Sequence, residues 1–174
     1  APGAAFRYSN FGAGLVGCAM GRACGLPFEG VMRRALFDPL ELSDTRAAAA
    51  ATFDLSRVPE ARCASLYPAF PPGRAPAFDA PVRIAAAKPM DAPDPLRHYL
   101  VPPGGLYVTA PGLARLAMLF LRGGERGGAR IFPAEAAARM RAPRAAYPDQ
   151  TVRLWHGLGT LIVNDPRVCP AQMY

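Results

Sequence analysis

Lysine is almost missing from this chain. Lys88 is the one lysine among 20 basic residues, and the other nineteen are arginine. Serine is scarce as well: Ser9, Ser43, Ser56 and Ser65 are all there are, and none is followed three residues later by Lys. A Ser-x-x-Lys pair, in which an amine helps take the hydroxyl proton, is therefore not encoded within these 174 residues. The Gly-x-Ser-x-Gly elbow, His-Glu-x-x-His and the Walker loop are also missing, which excludes the commonest hydrolase, metalloprotease and nucleotide signatures. No stretch approaches eighteen apolar residues; the segment 113–121 is short and is broken by Arg115. No conventional membrane-spanning helix is expected. The four cysteines contain no Cys-x-x-Cys, and neither His98 nor His156 stands at zinc-site spacing from one.

What is abundant is alanine, arginine and proline, with 34 Ala and 20 Pro. The net charge of +7 rests on arginines scattered along the chain, with local pairs only at Arg33-Arg34 and around Arg139, Arg141 and Arg144. Nucleic-acid binders concentrate such charge on one face or interleave it with aromatics, so no nucleic-acid partner is expected. Apolar residues make up 51% and charged residues 19%, a globular balance with enough length for about one domain. Cys18 and Cys24 lie six residues apart, about 120° from facing each other on a helix. A disulfide between them is not expected, and the cysteines read as small buried thiols.

Three stretches differ in character. In residues 1–46, Ser9 or Asn10 can cap a helix whose apolar face is Phe11, Leu15, Val16, Ala19, Met20 and Ala23, with Gly25 ending it in a left-handed position. Pro27 suits the first turn of a second helix carrying Phe28, Val31, Met32, Ala35 and Leu36, closed by Asp38-Pro39. Residues 47–103 are Ala- and Pro-rich with weak periodicity; Arg62–Tyr67 and Val82–Ala87 read as short strands. In residues 104–174, a short strand at Leu106-Tyr107-Val108 leads to a helix capped by Thr109 and running to about Arg122. Its expected stripe is Leu113, Leu116, Ala117, Phe120 and Leu121, and Gly123-Gly124 stops it. A tight turn follows into Ile131-Phe132. Pro133 then opens a helix to about Met140, and Trp155–Val163 reads as a strand bent at its glycines.

One motif carries chemistry: Tyr8-Ser9-Asn10. A Tyr-x-Asn tripeptide is weak alone, and its surroundings make it specific. Pro2-Gly3, Phe6-Arg7-Tyr8-Ser9-Asn10-Phe11-Gly12, Leu15-Val16-Gly17, Gly25-Leu26-Pro27-Phe28-Glu29, Leu36-Phe37-Asp38-Pro39-Leu40 and Leu42-Ser43-Asp44-Thr45 follow one another in order. This block resembles the serine β-lactamase and penicillin-binding-protein superfamily, and most of all its class C branch with the related D-alanyl-D-alanine peptidases and esterases. Glu41 stands where that family has Gly, and Leu42 where it has Met. Pro103-Gly104-Gly105-Leu106-Tyr107-Val108-Thr109-Ala110 is similar to the family's Gly-Gly-Leu-x-Ser-Thr-Ala segment. Leu113-Ala114-Arg115, Leu121-Arg122-Gly123-Gly124 and Gly157-Leu158-Gly159 match further blocks, with Gly112 for Asp and Thr160 for Trp. Residues 47–100 match least.

The resemblance implies an α/β (α+β) fold: an antiparallel sheet flanked by helices, plus a helical lobe that bears Tyr8. Acyl-enzyme chemistry on a β-lactam, a D-Ala-D-Ala peptide or a small ester is implied, without metal or organic cofactor. Tyr8 is then the proton shuttle and Asn10 the donor that positions the substrate amide. The nucleophile motif is expected before Ala1 and a third motif after Tyr174, making residues 1–174 one partial, inactive domain. The alternative is a non-catalytic member that binds cell-wall peptide or is structural. Family members are commonly exported to the cell envelope; a cytoplasmic location is the alternative. Apart from the motif, His98 and His156 read as structural or surface histidines, Trp155 as core or groove wall, and Tyr107 as a residue beside a cleft.

Overall fold

The computed structural model describes residues 7–43, 50–54, 57–64, 98–146, 154–157 and 161–163. They form helices and small antiparallel sheets, a mixed α/β chain. Contacts gather them into two units, residues 10–113 and residues 1–9 with 114–174. Among the described residues no single helix is long and apolar enough to cross a membrane.

In the first unit, α1 (Asn10–Cys24) begins where the Ser9-Asn10 signal places it. It ends at Gly25, whose φ of +65° is the left-handed value a glycine adopts freely. Leu26 N–H donates to Gly21 O at 3.1 Å and Gly25 N–H to Arg22 O at 3.3 Å, the paired bonds of a Schellman stop. The buried side of α1 differs from expectation. Phe11, Leu15 and Val16 are more than half exposed, whereas Gly14 and Gly17 are buried. A Cβ on Gly14 would strike the Tyr99 backbone, and one on Gly17 would strike the Pro102 ring. The helix thus packs by close backbone approach to α3 (Val101–Gly104) and the turn before it, which side-chain bulk on that face would prevent. Cys18 and Cys24 are free and exposed, not buried thiols, because they stand off this packed face.

Pro27 is the N-cap of α2 (Phe28–Met32), and the helix continues as a widened π-type turn over Arg33–Phe37. Asp38 N–H donates to Arg33 O at 2.8 Å, five residues back. Pro39 has no N–H to continue an α ladder, and its ring crowds the carbonyl four residues earlier, so the last turn opens. Phe37 is thereby turned fully inside. The chain reverses at Glu41, whose φ of +54° is left-handed, and Leu42 N–H closes the turn on Phe37 O at 2.7 Å.

An unanticipated strand follows. β1 (Ala51–Thr52) pairs antiparallel with β2 (Tyr107–Val108), setting Ala51 opposite Val108 and Thr52 opposite Tyr107. Glu29 on α2, only 8% exposed, holds this strand. One carboxylate oxygen accepts from Thr52 Oγ1 at 2.9 Å and the other from Phe53 N–H at 2.7 Å. The Arg57 guanidinium lies 4.0 Å from the first. Phe53 packs edge-on to Phe28 at 5.0 Å and stacks near Phe37 at 6.0 Å. With Leu40, Leu42 and Val101 these rings make the core of the unit. Beyond it, Glu60–Arg62 forms a 3-10 turn. The start of the strand expected over 62–67 is thus not strand, since Arg62 ends the 3-10 turn and residues 63–64 form no strand; 65–67 and Val82–Ala87 lie outside the described residues.

Thr109 caps α4 (Ala110–Leu121), its Oγ1 accepting from Gly112 N–H at 3.2 Å. Leu116 and Leu119 are the buried leucines, while Leu113 and Leu121 are exposed, so the buried face is rotated from the expected stripe. In the second unit, Gly123 and Gly124 stop α4 with φ of +63° and +89°. A hairpin follows: β3 (Glu125–Arg126) pairs with β4 (Ala129–Arg130). Gly127 and Gly128 between them both have positive φ, as a type I′ turn requires. Arg130 donates to Gly123 O at 2.9 Å and pairs with Glu125 at 3.1 Å. Phe120 and Phe132 approach at 5.5 Å. α5 (Ala134–Arg141) starts behind Pro133 as expected and buries Ala137. The long strand expected at 155–163 is instead two strands. β6 (Leu154–His156) runs antiparallel to both β5 (Ala145–Ala146) and β7 (Leu161–Val163), with His156 opposite Leu161. Of the residues between β6 and β7, 158–160 lie outside the described residues.

Two stability predictions follow. Glu29→Gln keeps the side-chain shape but turns an NH2 toward one of two donors, so urea unfolding should show a loss of about 1–3 kcal/mol. A loss below about 0.5 kcal/mol would show that the carboxylate is not what holds β1. Glu41→Gly relieves a left-handed strain of about 1–2 kcal/mol against the backbone entropy of glycine, and a net gain of about 0.5–1 kcal/mol is expected in the same assay.

Candidate active site

The Tyr-x-Asn motif flanks the start of α1. Tyr8 lies two residues ahead of the helix, 66% exposed, and Asn10 is the first helical residue and is also exposed. The first turn of an α-helix leaves four N–H groups without intrahelical partners, and the helix dipole puts partial positive charge there. Both side chains are exposed to solvent. The positive helix end favours negative charge developing beside it.

The remaining candidates divide by surroundings. Tyr107 on β2 is half-buried, and its hydroxyl is raised above the ordinary 10.0, first by burial and then by repulsion from charge on Cys63. That direction holds the proton on the phenol, which is opposite to what a general base needs. His98 accepts a bond from Leu100 N–H on Nδ1 at 3.2 Å and lies 4.6 Å from the Tyr99 ring. The side chains of Trp155 and His156 lie outside the described set. Among the described residues no group of three His, Cys, Asp or Glu is placed to hold a metal.

Two features lie outside the Tyr-x-Asn motif. The first is Glu29, an acid in the first turn of a short helix with nothing nearby in sequence to mark it as buried. The second is Gly12-Ala13-Gly14-Leu15-Val16-Gly17, which spells Gly-x-Gly-x-x-Gly. A dinucleotide-binding loop needs that pattern between a strand and a helix. Here it lies wholly inside α1, and Gly14 and Gly17 are filled by Tyr99 and Pro102. The glycines serve helix packing and form no phosphate cradle.

Helices with small antiparallel sheets are consistent with the mixed α/β class that the sequence implies. The Beta-lactamase family model matches residues 1–168, and the chain belongs to that family. No curated protein matches the chain significantly. Family membership gives it serine-hydrolase-type function toward small-molecule substrates.

Because Tyr107 holds its proton more tightly when folded, its contribution to stability is complete below pH 10 and is lost as pH rises through the folded value. Tyr107→Phe should therefore flatten the fall of unfolding free energy above about pH 10. Parallel curves for the two proteins from about pH 9 to pH 11 would contradict this.

Proposed function

We propose that this chain supplies the Tyr-x-Asn wall of a serine hydrolase active site that works through an acyl-enzyme. The observation that carries the reading is the exposed Tyr8 and Asn10 at the start of α1, inside a family match that spans residues 1–168. The finer architecture proposed is a central antiparallel sheet flanked by helices, with α1 in the helical lobe. The branch proposed is class C-like, shared with D-alanyl-D-alanine peptidases and esterases. The exposed Phe11, Leu15 and Val16 supply an apolar face against which more of that lobe can pack.

In this reading the nucleophile is a serine of a Ser-x-x-Lys pair outside the 174 residues. Its hydroxyl attacks the carbonyl carbon of a β-lactam, a D-Ala-D-Ala peptide or a small ester. The proton leaves through Tyr8, whose phenol acts as a base only beside a cation such as that lysine. Tyr8 then returns the proton to the departing nitrogen or oxygen. Asn10 donates from its carboxamide to the substrate amide and fixes the carbonyl for attack. Water completes the cycle by hydrolysing the ester. No step requires a metal or an organic cofactor. The 174 residues alone, without the nucleophile, are inactive in this account, and the working protein is exported to the cell envelope.

The test is kinetic, in the full-length protein. Tyr8→Phe should lower the acylation rate by about 10²–10⁴-fold with a chromogenic cephalosporin or a p-nitrophenyl ester. Asn10→Ala should raise KM for amide-bearing substrates more than for the simple ester. Unchanged turnover in Tyr8→Phe would remove Tyr8 from proton transfer and favour a member that binds cell-wall peptide without cleaving it.

A further inference from the structure

The far end of α1 carries a second feature. A cavity of about 340 Å³ opens there, lined among others by Cys18, Arg22, Phe28, His98 and Pro102. Its size falls in the range of small-molecule sites, about 300–1,000 Å³. It is not the Tyr-x-Asn site: Gly17, the α1 lining residue nearest Asn10, is seven residues from it on the helix, about 10 Å along the axis.

The chemistry of the wall is one-sided. Phe28, Pro102 and Leu26 offer apolar surface, and among the described residues no Asp or Glu lines the cavity. Cys18 and Arg22 stand four residues apart on α1, hence on one face. Among the described residues no carboxylate lies within ion-pair distance of the Arg22 guanidinium. His98 accepts from Leu100 N–H on Nδ1, so its neutral ring carries the proton on Nε2, a second donor. A guanidinium and an imidazole N–H on an apolar cavity are hydrogen-bond donors, and no described residue of the wall sets a carboxylate against them. They suit a ligand with an apolar body and one carboxylate.

We propose that this cavity binds a small organic monocarboxylate, with Arg22 and His98 on the carboxylate and the Phe28–Pro102 wall on the apolar body. The site is independent of the acyl-transfer reading. Cys18 reports on it directly. Its thiol lies on the cavity, whereas Cys24 is exposed on the same helix and does not line it.

The experiment is site-resolved alkylation of the full-length protein by iodoacetamide, in which sulfur displaces iodide, followed by peptide mass spectrometry. Benzoate is the probe and benzamide, its neutral counterpart, the control, at matched ionic strength. A ligand of this size reaches a dissociation constant of about 1 mM, so about 10 mM benzoate fills roughly nine-tenths of the sites. Benzoate should slow Cys18 about tenfold, leave Cys24 unchanged, and protect far better than benzamide. Arg22→Gln should abolish the protection and Arg22→Lys should keep much of it, each with native far-UV circular dichroism. An unchanged Cys18 rate, equal slowing of Cys24, equal protection by benzamide, or full protection in Arg22→Gln would each overturn the proposal.

Discussion

The buried carboxylate of Glu29 is the tie on which the described part of the first unit depends. It joins α2 to the end of β1 by accepting from the Thr52 hydroxyl and the Phe53 backbone N–H. With β1 fixed, Phe53 comes between Phe28 and Phe37. β1 in turn sets the register of β2, and Thr109, directly after β2, bonds its N–H to Ala50 O at 2.9 Å and caps α4. One buried anion therefore ties α2 to a two-stranded ladder. Burying a carboxylate is costly unless its lone pairs are met, and here both oxygens are met.

The local grammar of the chain was mostly legible before its folding was known. Caps and stops are short-range chemistry, so Asn10, Gly25, Thr109, Gly123 and Pro133 mark boundaries that the structure keeps within a residue or two. Less legible was which face each helix buries. α1 has an apolar stripe, yet it packs through Gly14 and Gly17, because a helix can approach a neighbouring backbone closely only where side chains are absent. α4 buries Leu119 and exposes Leu113 for a related reason: tertiary neighbours choose the face, and a helix with leucines on several sides offers more than one. β1 has two residues and no periodicity to read. The antiparallel pair β6 and β7 within 154–163 reads in sequence as one strand, because both pieces are β-prone and glycines also occur inside bent strands.

Of the candidate site, Tyr8 and Asn10 were legible because three adjacent residues in a long run of matching blocks carry them. Their placement at a helix start is local, and so it too follows from sequence. The Cys18, Arg22 and His98 cavity was not legible, because His98 is brought to α1 from far along the chain by the Gly17–Pro102 approach. Glu41 shows how a family position acquires its physical meaning. The left-handed backbone there explains why glycine is the residue of the resembling turn, and this chain carries a glutamate in its place.

The central claim is that Tyr8 and Asn10 serve a serine nucleophile, and the most direct measurement is the sequence of the coding DNA on both sides of this segment. The account predicts an in-frame Ser-x-x-Lys upstream and an in-frame Lys-Thr-Gly or His-x-Gly downstream. An in-frame stop ahead of the segment, or a complete flanking reading frame without Ser-x-x-Lys, would contradict it and leave Tyr8 without a partner in proton transfer.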